Sequence, residues 1–203
     1  MLVLDLFCGT KSVKKITDKF KWDYIGLDIE KKFNPNILID FLEWDYKKYD
    51  KKHFDIIWAS PDCSCYSMAS GNKHFNKDRT PKTEKAVISL KILDKLKEVI
   101  EYFDCIFFIE NPRARMRWFL TYPRYEVWYC KYGFNRAKPT DIWSNVKGFI
   151  PKKCKNGAPC HISAPRGSRS STQGIPKSER YKVPPMLIEE LFNISKNNLK
   201  INT

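Results

Sequence analysis

Short apolar runs alternate with amphipathic segments along the first half of the chain. Residues 2–7 form an apolar run that ends in Cys8-Gly9-Thr10, and residues 11–20 follow with apolar side chains at helical spacing. This pattern predicts a strand, a tight turn and a helix. Further apolar runs, each closed by a polar residue, predict strands at 24–27, 36–39 and 54–59.

The clearest periodicity covers residues 84–103, where apolar residues recur every three or four positions with Lys and Glu between them. It predicts a long amphipathic helix. Residues 105–109 predict a fifth buried strand, closed by Glu110-Asn111-Pro112, and shorter strands are expected at 125–130 and 140–143. This alternation predicts an α/β fold with a doubly wound, mostly parallel sheet and right-handed crossovers.

The character of the chain changes after these elements. Residues 147–178 are rich in Gly, Pro, Ser, Lys and Arg with little periodicity, and a final helix is predicted from 186 to 194. We therefore expect a single domain in three parts. These are a core (1–145), a short irregular basic segment (146–180), and a C-terminal helix that packs back on the core (181–203).

The charge balance favours a nucleic-acid partner. The chain has 37 basic and 23 acidic residues, a formal net charge of +14 that attracts polyanions, although an AT-rich genome alone also produces such a Lys-rich sequence. No run approaches the roughly 20 apolar residues of a membrane span, and the N-terminus lacks the features of a signal peptide. Seven unevenly spaced cysteines do not resemble a disulfide framework. We therefore expect a cytoplasmic protein, monomeric and away from membranes.

Polar side chains follow several predicted strands, at the sheet edge where α/β proteins bind ligands. Gly9 lets the backbone approach a nucleoside at a helix N-terminus, or it only makes a tight turn. Asp28 and Asp40 suit a ribose and an adenine amino group, or they are solvated strand-end carboxylates. Cys63 stands on a loop over this edge, where a thiolate is a nucleophile, although Cys63 and Cys65 can equally be incidental thiols.

These motifs, in this order, resemble the S-adenosylmethionine-dependent cytosine-C5 methyltransferase family. The matching motifs are Asp-Leu-Phe-x-Gly at 5–9, Pro-x-Cys with a Ser four residues after the Cys at 61–67, and Glu-Asn at 110–111. Arg136-x-Lys138 resembles the family's Gln-x-Arg-x-Arg segment, and Val183-Pro184-Pro185 resembles its C-terminal element. The resemblance spans nearly the whole chain and implies a Rossmann-like class I methyltransferase fold with S-adenosylmethionine as cofactor.

The resemblance also implies residue roles. Cys63 would add to C6 of cytosine while Glu110 protonates N3. Arg136 would hold the cytosine O2, Asn111 would brace the catalytic loop, and Ser67 would contact phosphate or order that loop. The residues implied around the cofactor are Phe7, Gly9, Asp28, Ile29, Asp40, Phe41 and Pro61.

Among the departures of this sequence from the family, two bear on cofactor and substrate binding. Lys11 stands where the family usually has a second glycine in the first turn, so a side chain occupies a place of close backbone approach. Residues 145–180 are too few for a large base-reading domain, which predicts low sequence specificity or a single-stranded substrate. The residues expected to contact nucleic acid are Lys138, Lys152, Lys153, Lys155, Arg166 and Arg169.

Cys154, Cys160 and His161 are the residue types of a zinc site, but their spacing is unlike that of zinc motifs. A fourth ligand would have to come from Cys130 or His74. On this basis we predict no metal site.

The sequence thus predicts a compact enzyme, typical of a phage or other mobile element, that methylates C5 of cytosine in DNA. Methylation of RNA or of a free cytosine nucleotide is an open alternative. A nucleic-acid-binding protein with a decayed cofactor turn is another. Residues 60–63 faintly resemble the Ser-Pro-Pro-Tyr loop of amino-methyltransferases but lack its aromatic residue.

Overall fold

The chain folds around one mixed sheet with helices on both faces. The computed structural model describes residues 1–168 and 170–201. The strands are β1 (Leu2–Leu6), β2 (Asp23–Asp28), β3 (Ile37–Leu38), β4 (Ile56–Ala59), β5 (Ile106–Pro112), β6 (Arg124–Trp128) and β7 (Pro139–Ser144). The helices are α1 (Ser12–Phe20), α2 (Glu84–Phe103), α3 (Lys177–Arg180) and α4 (Pro185–Ile201).

The strand order is β3-β2-β1-β4-β5-β7-β6. Strands β1 to β5 pair in parallel, whereas β7 runs antiparallel between β5 and β6. The chain leaves β1 toward β2 and β3, then returns to place β4 on the other side of β1. This reversal opens a crevice at the carboxyl ends of β1 and β4, the usual ligand position in such sheets. The predicted doubly wound, mostly parallel sheet is confirmed.

Successive side chains of the central strands point to opposite faces of the sheet and belong to two separate hydrophobic cores. Val3 and Trp58 point to one face, where they join Leu187 and Phe192 of α4 and Ile16 of α1 in one buried cluster. The apolar faces of α1 and α4 cover this side because a parallel sheet buries both of its faces.

The opposite face of the sheet is covered by α2. Leu4 and Ile57, the sequence neighbours of residues on the first face, join Leu93, Leu96 and Phe103 in the second cluster. The observed α2 begins and ends at the residues that the periodicity predicts. Its first turn is capped by Thr83, whose hydroxyl accepts a hydrogen bond from the Ala86 amide at 3.2 Å.

Some bounds differ from the sequence-based expectation. Strand β5 continues through Glu110 and Asn111 because both residues pair with β7. Helix α4 continues to Ile201, and the side chain of Asn198 exchanges hydrogen bonds with the backbone of Lys147. Helix α3 forms inside the segment that the sequence predicts to be irregular. In the part of the chain that the structure describes, we find no helix long and apolar enough to cross a membrane.

Candidate active site

A crevice of about 1210 Å³ opens at the carboxyl ends of β1, β2, β4 and β5. One end is lined by the first turn, residues 7–10, and by the end of β2. The other end is lined by the loop after β4 together with Glu110 and Lys138. Residues 161–165 of the basic segment contribute a wall. A single cavity thus joins the predicted cofactor turn to the predicted nucleophile.

The first turn is fixed by the carboxylate of Asp28. Its Oδ2 accepts a hydrogen bond from the Gly9 amide at 2.9 Å, and its Oδ1 accepts one from the Glu30 amide at 2.9 Å. Phe7 and Gly9 have φ angles of 61° and 43°, in the left-handed region. Asp28 is therefore engaged by backbone donors on both sides, and it ties the turn to the end of β2.

Lys11 meets the conformational demand that a glycine usually meets. Its φ is 56°, and its side chain leaves the crevice so that Nζ donates to the Asn34 carbonyl at 2.5 Å. The side chain therefore does not stand where close backbone approach was expected.

Of the other predicted cofactor residues, Ile29 and Pro61 line the crevice. Ile29 is 62% exposed and presents an apolar surface to it. Phe41 is buried behind Phe7, with ring centroids 4.9 Å apart, and Asp40 accepts a hydrogen bond from the Leu42 amide at 2.9 Å. Asp40 and Phe41 therefore do not line the crevice, and Phe41 packs against Phe7, which does.

The catalytic end is built by the neighbouring strands β4 and β5. Cys63 follows β4 on a loop that lines the crevice, and Glu110 lies buried in β5. The side-chain amide of Asn111 donates to the Pro61 carbonyl at 2.9 Å. This bond holds the Cys63 loop against β5.

Glu110 is held by two residues from other parts of the chain. The Tyr129 hydroxyl donates to Glu110 Oε1 at 2.7 Å, and Lys138 Nζ lies 3.9 Å from the same oxygen. Lys138 also lies over the Tyr129 ring, 4.4 Å from its centroid, and donates to the Arg180 carbonyl at 2.9 Å. Burial and the charge of Glu110 raise the pKa of Tyr129, so this hydroxyl keeps its proton and donates.

The electrostatics of Cys63 favour the neutral thiol. Burial raises its pKa to about 11, and the negative charges of Glu110 and Asp62 act in the same direction. The positive charge of Lys138 opposes them, although burial lowers the pKa of Lys138 itself. A change of charge at Glu110 therefore changes how readily the thiolate forms.

Ser67 lies at the other end of the Cys63 loop and lines the crevice. Its amide donates to the Cys63 carbonyl at 2.9 Å, and its own carbonyl accepts from Arg115 at 3.2 Å. These bonds order the loop through the backbone of Ser67.

Arg136 and Lys138 occupy different surroundings from those the sequence suggests. Arg136 lies outside the crevice, where its guanidinium donates to the carbonyls of Ile162 and Ser163 at 3.3 and 3.1 Å. Lys138, expected at the nucleic-acid surface, is instead buried beside Glu110. The backbone at Lys138 is left-handed, with a φ of 30°.

Four further basic residues of the expected nucleic-acid surface lie outside the crevice. All four are exposed, but Lys152 pairs with Glu190 of α4 at 2.5 Å. Arg169 lies outside the described residues. Lys152 is thus already engaged by a carboxylate, which leaves Lys153, Lys155 and Arg166 as the better candidates for contact with a polyanion.

Two features of the site carry no local sequence signal. Tyr129 is 19 positions from Glu110 and belongs to no motif, so only the fold brings its hydroxyl to the carboxylate. The wall at 161–165 comes from a segment without periodicity.

The structure also brings Cys130 together with Cys154, Cys160 and His161, whereas His74 is hydrogen-bonded to the Thr83 hydroxyl at 2.8 Å.

No protein-family model matches the chain. A curated relative, described as a probable DNA (cytosine-5)-methyltransferase of Frog virus 3 (isolate Goorha), is 32% identical over 216 aligned residues, with 96% of this chain and 100% of the relative covered. The chain belongs to the cytosine-C5 methyltransferase family. It is accordingly an enzyme, as the motifs predict.

The chain is also similar to solved structures of other methyltransferases. The Entamoeba histolytica methyltransferase EhMeth is similar with a TM-score of 0.61 and 12% identity, covering 98% of each chain. The S. pombe Dnmt2 methyltransferase is similar with a TM-score of 0.48 and 15% identity, covering 74% of this chain and 53% of that protein. The likeness to the first structure confirms the predicted Rossmann-like methyltransferase fold.

Proposed function

We propose that this methyltransferase transfers a methyl group from S-adenosylmethionine to C5 of cytosine in DNA through a covalent Cys63 adduct, with low sequence specificity. The carrying observation is that Cys63, Glu110 and Lys138 meet at one end of a crevice whose other end is the Gly9–Asp28 turn. The relative from Frog virus 3, described as a probable DNA methyltransferase, supports DNA as the substrate.

The residues of the first turn fit a nucleoside cofactor. Gly9 exposes backbone at the N-terminal end of α1, and Ile29 offers an apolar surface in the same crevice. Phe7, Gly9, Ile29 and Pro61 would hold S-adenosylmethionine, which supplies the methyl group when bound. Asp28 positions this turn through its bonds to the Gly9 and Glu30 amides.

The protein's own groups perform the activation of the ring. Cys63 Sγ forms a bond to C6 while a protonated Glu110 gives its proton to N3, which places the displaced electron pair at C5. After C5 is methylated, N3 returns its proton to Glu110. Loss of the C5 proton to solvent and cleavage of the bond between Sγ and C6 then restore the ring and release Cys63 as a thiolate.

Glu110 and Lys138 also govern the thiol. Protonation of Glu110 removes a negative charge that disfavours the thiolate, while Lys138 favours it. Tyr129 and Lys138 act as positioning residues, since the Tyr129 hydroxyl and the Lys138 ammonium both approach Glu110 Oε1 and fix the orientation of the carboxyl group. Lys138 therefore links the acid to the nucleophile.

A methyl-transfer assay that compares duplex DNA, single-stranded DNA, RNA and dCMP tests the substrate. We expect DNA to be methylated fastest, at cytosines in many sequence contexts. The target base must leave the stack, so single-stranded DNA is expected to be a good substrate. Faster methylation of RNA or dCMP would overturn the assignment of DNA and leave the C5 chemistry standing.

The first prediction concerns the basic surface. Replacing Lys153, Lys155 and Arg166 together by Gln is expected to weaken DNA binding at all sequences alike, because phosphate contacts position without reading bases. The salt dependence should fall by up to about 0.9 in log–log slope for each phosphate that the variant no longer neutralises. Fluorescence anisotropy across salt concentrations measures both quantities.

Lys152→Gln is the matched control for the basic surface, because Lys152 is already paired with Glu190. It should change the salt slope less than the loss of Lys153, Lys155 or Arg166 does. A change in which cytosines are methylated would show that this short segment reads base edges.

The second prediction concerns Lys11. Because its side chain turns away to Asn34, Lys11→Gly should leave the affinity for S-adenosylhomocysteine within about threefold, as measured by calorimetry. Gly9→Val is the contrasting variant, since a β-branched residue is strained at a φ of 43°. It should bind at least tenfold more weakly, by about 1.4 kcal/mol or more. A Lys11→Gly variant that binds ten times more tightly would show that Lys11 obstructs the cofactor.

A further inference from the structure

We propose that Cys130, Cys154, Cys160 and His161 form a structural zinc site. Their ligand atoms all lie within 4.8 Å of one another. The Sγ atoms of Cys154 and Cys160 are 3.3 Å apart, and His161 Nδ1 lies 3.5 Å from Cys160 Sγ and 3.9 Å from Cys154 Sγ. Three sulfurs and one imidazole nitrogen thus surround one common point.

The three separations among Cys154, Cys160 and His161 are close to those in a tetrahedral zinc coordination shell. Zinc bonds of about 2.3 Å to sulfur and 2.1 Å to nitrogen imply ligand separations of roughly 3.6–3.8 Å along the tetrahedron edges. The Cys154 and Cys160 sulfurs are too far apart for a disulfide bond of about 2.05 Å, and all the cysteines of the cluster are free thiols.

The chemistry and the number of these ligands favour zinc as the metal and a structural role for the site. Thiolate and imidazole ligands suit zinc, whereas magnesium and calcium prefer oxygen donors. Four protein ligands fill a tetrahedral shell and leave no open position for a substrate or a water, as in structural rather than catalytic zinc centres. Cys63 lies outside this cluster, so the proposed site is separate from the nucleophile.

The cluster joins two distant parts of the chain. Cys130 belongs to a short 3-10 helix, Tyr129–Tyr132, directly after β6, whereas the other three ligands lie in the basic segment. Backbone bonds run beside the cluster from Trp128 to Lys152 and from Ile162 to Asn135, at 3.1 and 2.8 Å. A zinc ion here would cross-link the core to the basic segment.

Both ends of this cross-link adjoin the active site. Cys130 directly follows Tyr129, which donates to Glu110, and His161 directly precedes the wall residues Ile162 and Ser163. Arg136 already holds the carbonyls of that wall. The zinc ion would therefore fix the wall of the crevice relative to the acid that activates the base.

Metal analysis of the full chain, purified under reducing conditions, tests the site independently of methyl transfer. We expect about one zinc ion per chain by inductively coupled plasma mass spectrometry. Cys154→Ser and Cys160→Ser should lose most of it, whereas Cys105→Ser, a free thiol elsewhere in the chain, should keep it. After exchange, cobalt should give the intense visible bands of a tetrahedral thiolate site.

His161→Cys keeps the test decisive if the serine variants fail to fold. It preserves a four-ligand set, so it should retain the metal and shift the cobalt spectrum, whereas His161→Ala should weaken binding. The proposal is overturned if the reduced wild-type protein neither contains zinc nor binds cobalt. It is also overturned if Cys105→Ser loses as much metal as Cys160→Ser.

Discussion

Cys63→Ser should abolish methyl transfer while leaving the affinity for S-adenosylhomocysteine within a few-fold. A serine hydroxyl is far less nucleophilic than a thiolate, and Cys63 contacts the reacting end of the crevice rather than the first turn. In the wild-type enzyme, a substrate with 5-fluorocytosine should give a covalent adduct, because fluorine replaces the proton that must leave. Intact mass and peptide mapping identify the modified residue.

Cys65→Ala is the matched control for this experiment. Cys65 stands two residues from Cys63, but it is only 1% exposed and belongs to the hydrophobic core. Cys65→Ala should therefore retain activity and form the adduct. An adduct on Cys65, or turnover by Cys63→Ser, would refute Cys63 as the nucleophile.

Glu110→Gln should lower kcat by about 10²-fold or more, because an amide cannot protonate N3. The same substitution should make Cys63 more reactive. Loss of the Glu110 charge lowers the raised pKa of Cys63, so alkylation of Cys63 by iodoacetamide should begin at lower pH than in the wild type. Turnover and thiol reactivity are thus expected to change in opposite directions.

Peptide mass spectrometry across pH follows alkylation at Cys63 separately from the other cysteines. Glu190→Gln, which removes a surface carboxylate paired with Lys152, should leave both the alkylation profile and kcat unchanged. A near-normal kcat for Glu110→Gln would show that N3 is activated elsewhere. A Cys63 alkylation profile that stays at the wild-type pH would show that Glu110 does not control the thiol.

The fold can be predicted from sequence where the local pattern of apolar residues decides whether a side chain is buried. Apolar periodicity locates α2 and the central strands because both faces of a parallel sheet are buried. It cannot give the end of β5, since Glu110 and Asn111 are polar residues inside a strand and are paired by β7. Polarity alone therefore places these two residues in a loop, whereas the structure places them in the sheet.

The site is predictable to the same degree. The motifs predict that Cys63, Glu110 and Gly9 meet in one crevice, because the carboxyl ends of parallel strands lie at the same edge of the sheet. The surroundings of Arg136 and Lys138 depend on residues far away in the sequence, Ile162 and Ser163 for the first and Glu110 and Arg180 for the second, which a local motif does not indicate. The sequence leaves Cys130 and His74 as alternatives beside Cys154, Cys160 and His161, and only the fold selects Cys130.

The first turn also has a thermodynamic consequence. Phe7 and Gly9 in the turn and Lys11 directly after it have left-handed φ angles of 61°, 43° and 56°, which carry a steric cost for the two non-glycine residues. The Asp28 carboxylate and the bond from the Cys8 amide to the Leu27 carbonyl keep them there. The entropy of ordering this segment is thus lost when the protein folds. A ligand that docks on the turn meets a rigid receptor, and its association carries little further ordering cost.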